Sequence, residues 1–218
     1  MIRIYPSLAA ANLTNIEHDV RLLEPYCAGF HLDVMDFHFV PNLTFGPDFI
    51  NAVRKITDKC LWIHLMVDEP DRYISRMHLA RGDIVSVHCE YSSIDYVKTV
   101  CRDICDRGLR ASMTLKPATP IERVKEFLDC IDHVLLMSVE PGFSGQEFMP
   151  EVYERLSMLN ALRAQRGKYF DIGTDGGIGP DVIRALAERG ADDFAIASAI
   201  FGAPDPLEAV QEMYKIAS

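Results

Sequence analysis

Short apolar runs rich in β-branched residues alternate along the chain with stretches whose apolar positions recur at helical spacing, and the alternation repeats from end to end. Eight strands are predicted, at Arg3–Pro6, Gly29–Met35, Leu61–Met66, Ile84–His88, Arg110–Leu115, His133–Val139, Tyr169–Thr174 and Asp193–Ala197. Several, such as Leu61-Trp62-Ile63-His64-Leu65-Met66-Val67, are almost unbroken apolar runs, the signature of strands covered on both faces. Helices are predicted near Asn15–Leu23, Pro47–Ile56, Asp71–Ala80, Ser93–Arg107, Pro120–Leu128, Pro150–Gln165, Pro180–Arg189 and Pro206–Ile216. Asn12 or Thr14 is suited to cap the first of them, and Gly82, Gly108 and Gly190 each follow a helical stretch, where a left-handed residue commonly ends a helix. Repeated βα units of this number predict an α/β protein, a single (β/α)8 barrel of the TIM type over residues 1–218, with a doubly wound open sheet as the other fold sharing the alternation.

Composition narrows the partners. No stretch of the 218 residues approaches the ~20 uninterrupted apolar positions that cross a bilayer, so no membrane association is expected. The N-terminal segment Met1-Ile2-Arg3-Ile4-Tyr5-Pro6 lacks a basic region followed by a long apolar run, and cytoplasmic residence is the expectation. A formal charge of −10 with no block of Lys and Arg argues against nucleic acid, so any phosphate must be held without a basic patch. The six cysteines, Cys27, Cys60, Cys89, Cys101, Cys105 and Cys130, show no C-x-x-C pairing and are expected to pack as small apolar side chains.

In such a barrel reacting groups project from the C-terminal ends of the strands and from the loops that follow. His31 and Asp33 lie two apart on the second predicted strand and so point the same way; His64 interrupts the apolar third strand; Asp175 follows the seventh, before Gly176-Gly177. Singly, each has an ordinary explanation as a hydrogen-bonded core histidine or a turn aspartate. Together, two imidazoles and two carboxylates form a nitrogen and oxygen cage for Zn, Fe, Mn or Co, one divalent ion per subunit, whereas Mg or Ca would call for mostly oxygen. Three further segments follow the last three strands: Pro141-Gly142-Phe143-Ser144-Gly145-Gln146, Asp175-Gly176-Gly177-Ile178-Gly179 and Ala197-Ser198-Ala199-Ile200-Phe201. Glycine lets backbone amides approach an anion closely, and loops after strands seven and eight commonly hold phosphate in this fold.

Ordered motifs extend this picture: Pro6-Ser7-Leu8, His31-Leu32-Asp33-Val34-Met35-Asp36, His38-Phe39-Val40-Pro41-Asn42-Leu43-Thr44, His64-Leu65-Met66-Val67, Met137-Ser138-Val139-Glu140-Pro141-Gly142-Phe143, Asp175-Gly176-Gly177-Ile178 and Ser198-Ala199-Ile200-Phe201. In them the sequence resembles the ribulose-phosphate 3-epimerase family over nearly its whole length. The resemblance implies that His31, Asp33, His64 and Asp175 bind a catalytic metal, and that Asp33 and Asp175 are the acid/base pair, one on each face of the substrate. It implies that Ser7 and His64 contact substrate and that Met35, Met66 and Met137 line the site. It further places Gly142, Phe143, Ser144, Gly145, Gly176, Gly177, Ala197 and Ser198 in phosphate-binding loops, the first of which also resembles a mobile lid. The implied reaction is 3-epimerisation of D-ribulose 5-phosphate to D-xylulose 5-phosphate through an enediolate, in a homo-oligomer.

Departures from the pattern keep other readings in view. Phe37 stands where the family usually has glycine, Ser144 where a second glycine is common, Thr174 where an apolar residue precedes Asp175, and Ala197 where the last phosphate loop has glycine. A methyl group at 197 would obstruct that loop if the position required positive φ. The alternatives are 3-epimerisation of D-allulose 6-phosphate, and a phosphosugar-binding barrel without turnover. Related barrel decarboxylases use a lysine between aspartates on a strand; here Met35 stands between Asp33 and Asp36.

Overall fold

The computed structural model describes residues 2–166 and 169–218, so Met1, where the N-terminal reading begins, lies outside it. Eight parallel strands are formed: β1 (Arg3–Pro6), β2 (Gly29–Met35), β3 (Cys60–Met66), β4 (Ile84–His88), β5 (Arg110–Leu115), β6 (His133–Met137), β7 (Asp171–Asp175) and β8 (Asp193–Ile196). Their order is β1-β8-β7-β6-β5-β4-β3-β2. The two ends of that order meet, because the Ala28 amide donates to Ile4 O at 3.0 Å and Ser7 bridges His31 in parallel register. The sheet therefore closes into the barrel the alternation predicts rather than the open sheet, and closure leaves no strand edge bare.

Helices α1 (Ile16–Leu23), α2 (Pro47–Arg54), α3 (Pro70–Ile74), α4 (Ile94–Asp106), α5 (Val152–Arg166), α6 (Pro180–Glu188), α7 (Ser198–Phe201) and α8 (Pro206–Ala217) connect the strands. In α4, Ser93 accepts the Tyr96 amide at the N-terminus, and Val97, Val100, Cys101 and Ile104 repeat at the spacing that turns one stripe inward. Alternate strand residues face different cores. Leu32, Val34, Ile63, Leu65, Val134 and Leu136 pack in the outer layer, while Tyr5, Trp62, Ile84 and Leu135 fill the barrel interior. Trp62 plugs the interior below the site, with Nε1 donating to Ser86 Oγ at 2.8 Å and edge-on contacts to Tyr5, His31 and His133. Gly173 on β7 makes room for it, since a Cβ there would sit 2.5 Å from Trp62 Cη2.

The opposite end of the barrel is tied by charge. Arg3 binds Asp193 through both carboxylate oxygens and Asp171 at 2.6 Å, Arg110 binds Asp171, and His133 Nε2 lies 3.3 Å from Asp193.

Several predicted boundaries are corrected. The expected helix over Asp71–Ala80 stops at Ile74, and Gly82 follows a turn, whereas Gly108 and Gly190 do end helices at positive φ. The Pro120–Leu128 segment is a 3-10 turn over Ile121–Glu126. Neither Asn12 nor Thr14 caps α1; Asn15 holds that position, while Asn12 Oδ1 accepts from Thr14 in a local turn. Strand β6 ends at Met137, two residues short of Val139, and β7 begins at Asp171, leaving the exposed Tyr169 and the buried Phe170 outside it. The short helix α7 is absent from the predicted set. Cys27, Cys60, Cys89, Cys101 and Cys130 are free thiols.

Candidate active site

Strand alternation and register assemble the site floor. His31, Asp33 and Met35 share the inward face of β2, and the β2–β3 register sets Asp33 beside His64 and Met35 beside Met66, while β6–β7 pairing sets Met137 beside Asp175. Asp175 is the last residue of β7 rather than the first of the following loop. One donor atom from each of His31, Asp33, His64 and Asp175 lies within 4.8 Å of those of the others. His64 Nδ1 is 3.3 Å from Asp33 Oδ1 and 3.5 Å from Asp175 Oδ2, and His31 Nε2 is 3.9 Å from Asp175 Oδ2. Ser7 Oγ donates to Asp33 Oδ2 at 2.8 Å and lies 3.3 Å from His31 Nδ1.

The electrostatics favour a cation among these groups. Burial alone would push the Asp33 carboxyl up, but the charge and hydrogen bonds of His31 and His64 hold it well below the usual carboxylate range. Burial works to lower the His64 imidazole, yet hydrogen bonds to Asp175 and Asp33 push it up to about 9. His31 Nε2 is fully buried without a hydrogen-bond partner among the described residues. An unpaired buried nitrogen costs ~1–3 kcal/mol. A metal ion coordinated by this lone pair would satisfy it, so the donor set fits the expected two-nitrogen, two-carboxylate cage.

Above the floor opens a cleft at the C-terminal end of the strands. Ser7, Asp33, Met35, Met66, Met137 and Asp175 line it, as do Gly142, Phe143, Ser144, Gly145, Gly176, Gly177, Ala197 and Ser198 from the loops after β6, β7 and β8. His31 and His64 sit behind the floor at zero exposure and do not line the cleft, so the expected substrate contact of His64 is not among the lining contacts. Gly177 has φ +62, and a Cβ there would stand 2.8 Å from the Phe148 amide nitrogen, so both conformation and space demand glycine. Ala197 has φ −101, which removes the objection to its methyl group. Phe37, by contrast, adopts φ +65 on the loop after β2, the conformation a glycine there would take without strain. Thr174 is buried with its hydroxyl unpartnered among the described residues.

Four residues have contacts at the site that the sequence reading assigns to none of them. Asn42 Nδ2 donates to Gly142 O at 2.7 Å, latching the β2 loop to the β6 loop, and Thr44 Oγ1 donates to Asp33 O at 2.5 Å while accepting the Met35 amide, which pins the end of β2. His88 Nε2 is 2.9 Å from His64 Nε2, and His88 Nδ1 is 3.2 Å from Glu90 Oε2. His88 and Glu90 repeat the two-residue spacing of His31 and Asp33 at the end of β4, a signal available in the sequence; the Asn42 and Thr44 contacts depend on loop paths that no periodicity encodes.

Comparisons with known proteins show the family. The model of the ribulose-phosphate 3-epimerase family matches residues 3–201. The chain is 36% identical to the ribulose-phosphate 3-epimerase of Bacillus subtilis over 215 residues, covering 98% of each. It is 38% identical to the chloroplastic ribulose-5-phosphate-3-epimerase of Arabidopsis thaliana, covering 96% of this chain and 75% of that one. It is 40% identical to ribulose-phosphate 3-epimerase 1 of Cupriavidus necator, covering 94% and 86%. Among solved structures the barrel resembles KGPDC from Streptococcus mutans, with TM-score 0.70, 13% identity and coverage of 100% and 97%, which shows a shared fold. The chain belongs to the ribulose-phosphate 3-epimerase family and is an isomerase of the epimerase type.

Proposed function

We propose that this protein is a metal-dependent 3-epimerase that interconverts D-ribulose 5-phosphate and D-xylulose 5-phosphate by two-base proton transfer through an enediolate. The observation that carries this reading is the convergence of His31, Asp33, His64 and Asp175 at the floor of a cleft rimmed by glycine-containing loops, with the buried His31 Nε2 left for a ligand. Asp33 and Asp175 enter from β2 and β7, which β1 and β8 separate around the wall, so the two carboxylates approach a bound sugar from different sides. Asp33, held ionised, accepts the proton from carbon 3, and Asp175 delivers one to the other face; in the reverse direction the roles exchange. His31 through Nε2, His64 through Nδ1 and the two carboxylates would hold the divalent ion. Zn, Fe, Mn and Co suit this donor set, and the bound ion would supply Lewis-acid stabilisation of the charge that develops on the sugar oxygens.

Ser7 holds Asp33 in orientation through its 2.8 Å hydrogen bond. Met35, Met66 and Met137 give the reacting carbon an apolar wall that limits water. Amides of the Gly142–Gly145, Gly176-Gly177 and Ala197-Ser198 segments receive the phosphate, in place of the basic patch the sequence lacks. Activity toward D-ribulose 5-phosphate, assayed beside D-allulose 6-phosphate, tests the assignment. A higher kcat/KM for the five-carbon sugar is expected, and preference for the six-carbon sugar would reassign the substrate.

A further inference from the structure

His64 can ligate through Nδ1 only when that nitrogen carries a lone pair, yet Nδ1 faces two carboxylates, Asp33 Oδ1 at 3.3 Å and Asp175 Oδ2 at 3.5 Å. Carboxylates accept hydrogen bonds, so taken alone they favour a proton on Nδ1, the wrong tautomer for a ligand. The other side of the ring opposes this. His64 Nε2 and His88 Nε2 are 2.9 Å apart with the ring planes within 25° of each other and centroids 5.0 Å apart, an edge-to-edge pair in which one nitrogen donates and the other accepts. Which one donates is decided further out. Glu90 Oε1 already accepts from the Lys116 amide at 2.9 Å and from the Thr119 hydroxyl, and its Oε2 meets His88 Nδ1 at 3.2 Å. A carboxylate cannot donate, so His88 Nδ1 carries the hydrogen, His88 Nε2 carries the lone pair, and His64 Nε2 must be the donor. The hydrogen assignment thereby propagates inward, so that when His64 gives up the proton its carboxylates favour, the remaining hydrogen stays on Nε2 and the lone pair falls on Nδ1. Both imidazoles are buried, and Phe39 packs on His88 with centroids 4.7 Å apart, so neither ring is free to turn to water.

We propose that His88 and Glu90 are positioning residues, a hydrogen-bonded relay from the end of β4 that holds His64 in the tautomer whose Nδ1 accepts a divalent ion. The relay rests on the reading that His31, Asp33, His64 and Asp175 form the metal centre. Its effect is on metal affinity first, because outer hydrogen-bond partners of a ligating histidine are worth about 10- to 100-fold in binding.

Co²⁺ titration against a chromophoric chelator, without substrate, tests it on the intact chain and on His64→Ala, His88→Phe, His88→Gln and Glu90→Gln. His88→Phe is expected to weaken Co²⁺ by about 10- to 100-fold, and Glu90→Gln by less, since an amide still accepts. His88→Gln, whose side-chain oxygen can accept from His64 Nε2, should recover most of the affinity. Long-range ¹H–¹⁵N spectra of the zinc-loaded chain should show His64 with hydrogen on Nε2, and a loss of slow exchange at that hydrogen in His88→Phe. Wild-type affinity in both His88→Phe and Glu90→Gln, with the His64 signal unchanged, would overturn the relay. Equal affinity of the unsubstituted chain and His64→Ala would instead overturn the metal reading, and with it the task assigned to the relay.

Discussion

At the scale of single residues, Phe37 bears the most conspicuous strain. A bulky side chain in the left-handed region costs ~1–2 kcal/mol relative to an ordinary conformation, and this one returns little burial because it is 66% exposed. Phe37→Gly is therefore expected to match or exceed the unsubstituted chain in denaturant midpoint, although glycine in most exposed positions is neutral or destabilising; a clear loss of stability would show that the ring contributes packing. Thr174 is a second local expense. Its buried hydroxyl has no partner among the described residues, so Thr174→Val, which keeps the shape, should raise stability by about 1 kcal/mol in urea unfolding. The catalytic candidates themselves were legible from the sequence, because His31 and Asp33 needed only the two-residue period of a strand to share a face. What periodicity did not supply was the register that sets Asp33 beside His64, or the fact that Asp175 belongs to the strand end.

Elements were legible where local pattern alone decides, and misread where a distant side chain does. The residues after Ile74 keep helix-like apolar spacing, yet their backbone groups go elsewhere: Asn51 Nδ2 donates to Arg76 O at 3.0 Å, Asn51 Oδ1 accepts the His78 amide at 2.7 Å, and Asp83 Oδ2 accepts the Ala80 amide at 2.7 Å. Asn51 lies on α2, outside any local window, while Asp83 sits three residues beyond Ala80, just before β4. In the Ile121–Glu126 turn, Ile121, Val124 and Phe127 recur every third residue, which suits a 3-10 turn better than an α-helix. The loop after β7 is an element where sequence and structure agree on glycine. Gly177→Ala combines a disfavoured φ with a contact to Phe148 backbone, and should raise KM for the phosphosugar by more than it lowers kcat, as measured by steady-state kinetics. An unchanged KM would remove this loop from phosphate binding.

Across the whole molecule, chemistry and stability occupy opposite ends of the barrel, as the fold's division of labour would have it. At the stability end, burial works to raise Asp193, but His133 and Arg3 hold its carboxyl below the ordinary value. A depressed folded value means that this carboxylate contributes stability that is full above the ordinary carboxylate range and is lost as pH falls through its folded value. Asp193→Asn should lower Tm at neutral pH and flatten the fall in Tm below about pH 4, the range in which an ordinary aspartate takes up its proton; a parallel offset at every pH would contradict the assignment. The barrel itself was readable as eight βα units, while its closure, through the Ala28 to Ile4 bond and the Ser7 bridge to His31, places Ser7 directly against Asp33 and so completes the site.

Whether Asp33 and Asp175 move a proton at carbon 3 is decided by proton NMR of D-ribulose 5-phosphate in heavy water. The carbon 3 signal is expected to disappear as D-xylulose 5-phosphate forms, with turnover falling by about 10²–10⁴-fold in Asp33→Asn and in Asp175→Asn and ceasing on metal chelation. Formation of the epimer with hydrogen retained at carbon 3, or exchange that continues at the unsubstituted rate in both variants, would contradict proton transfer by these two residues.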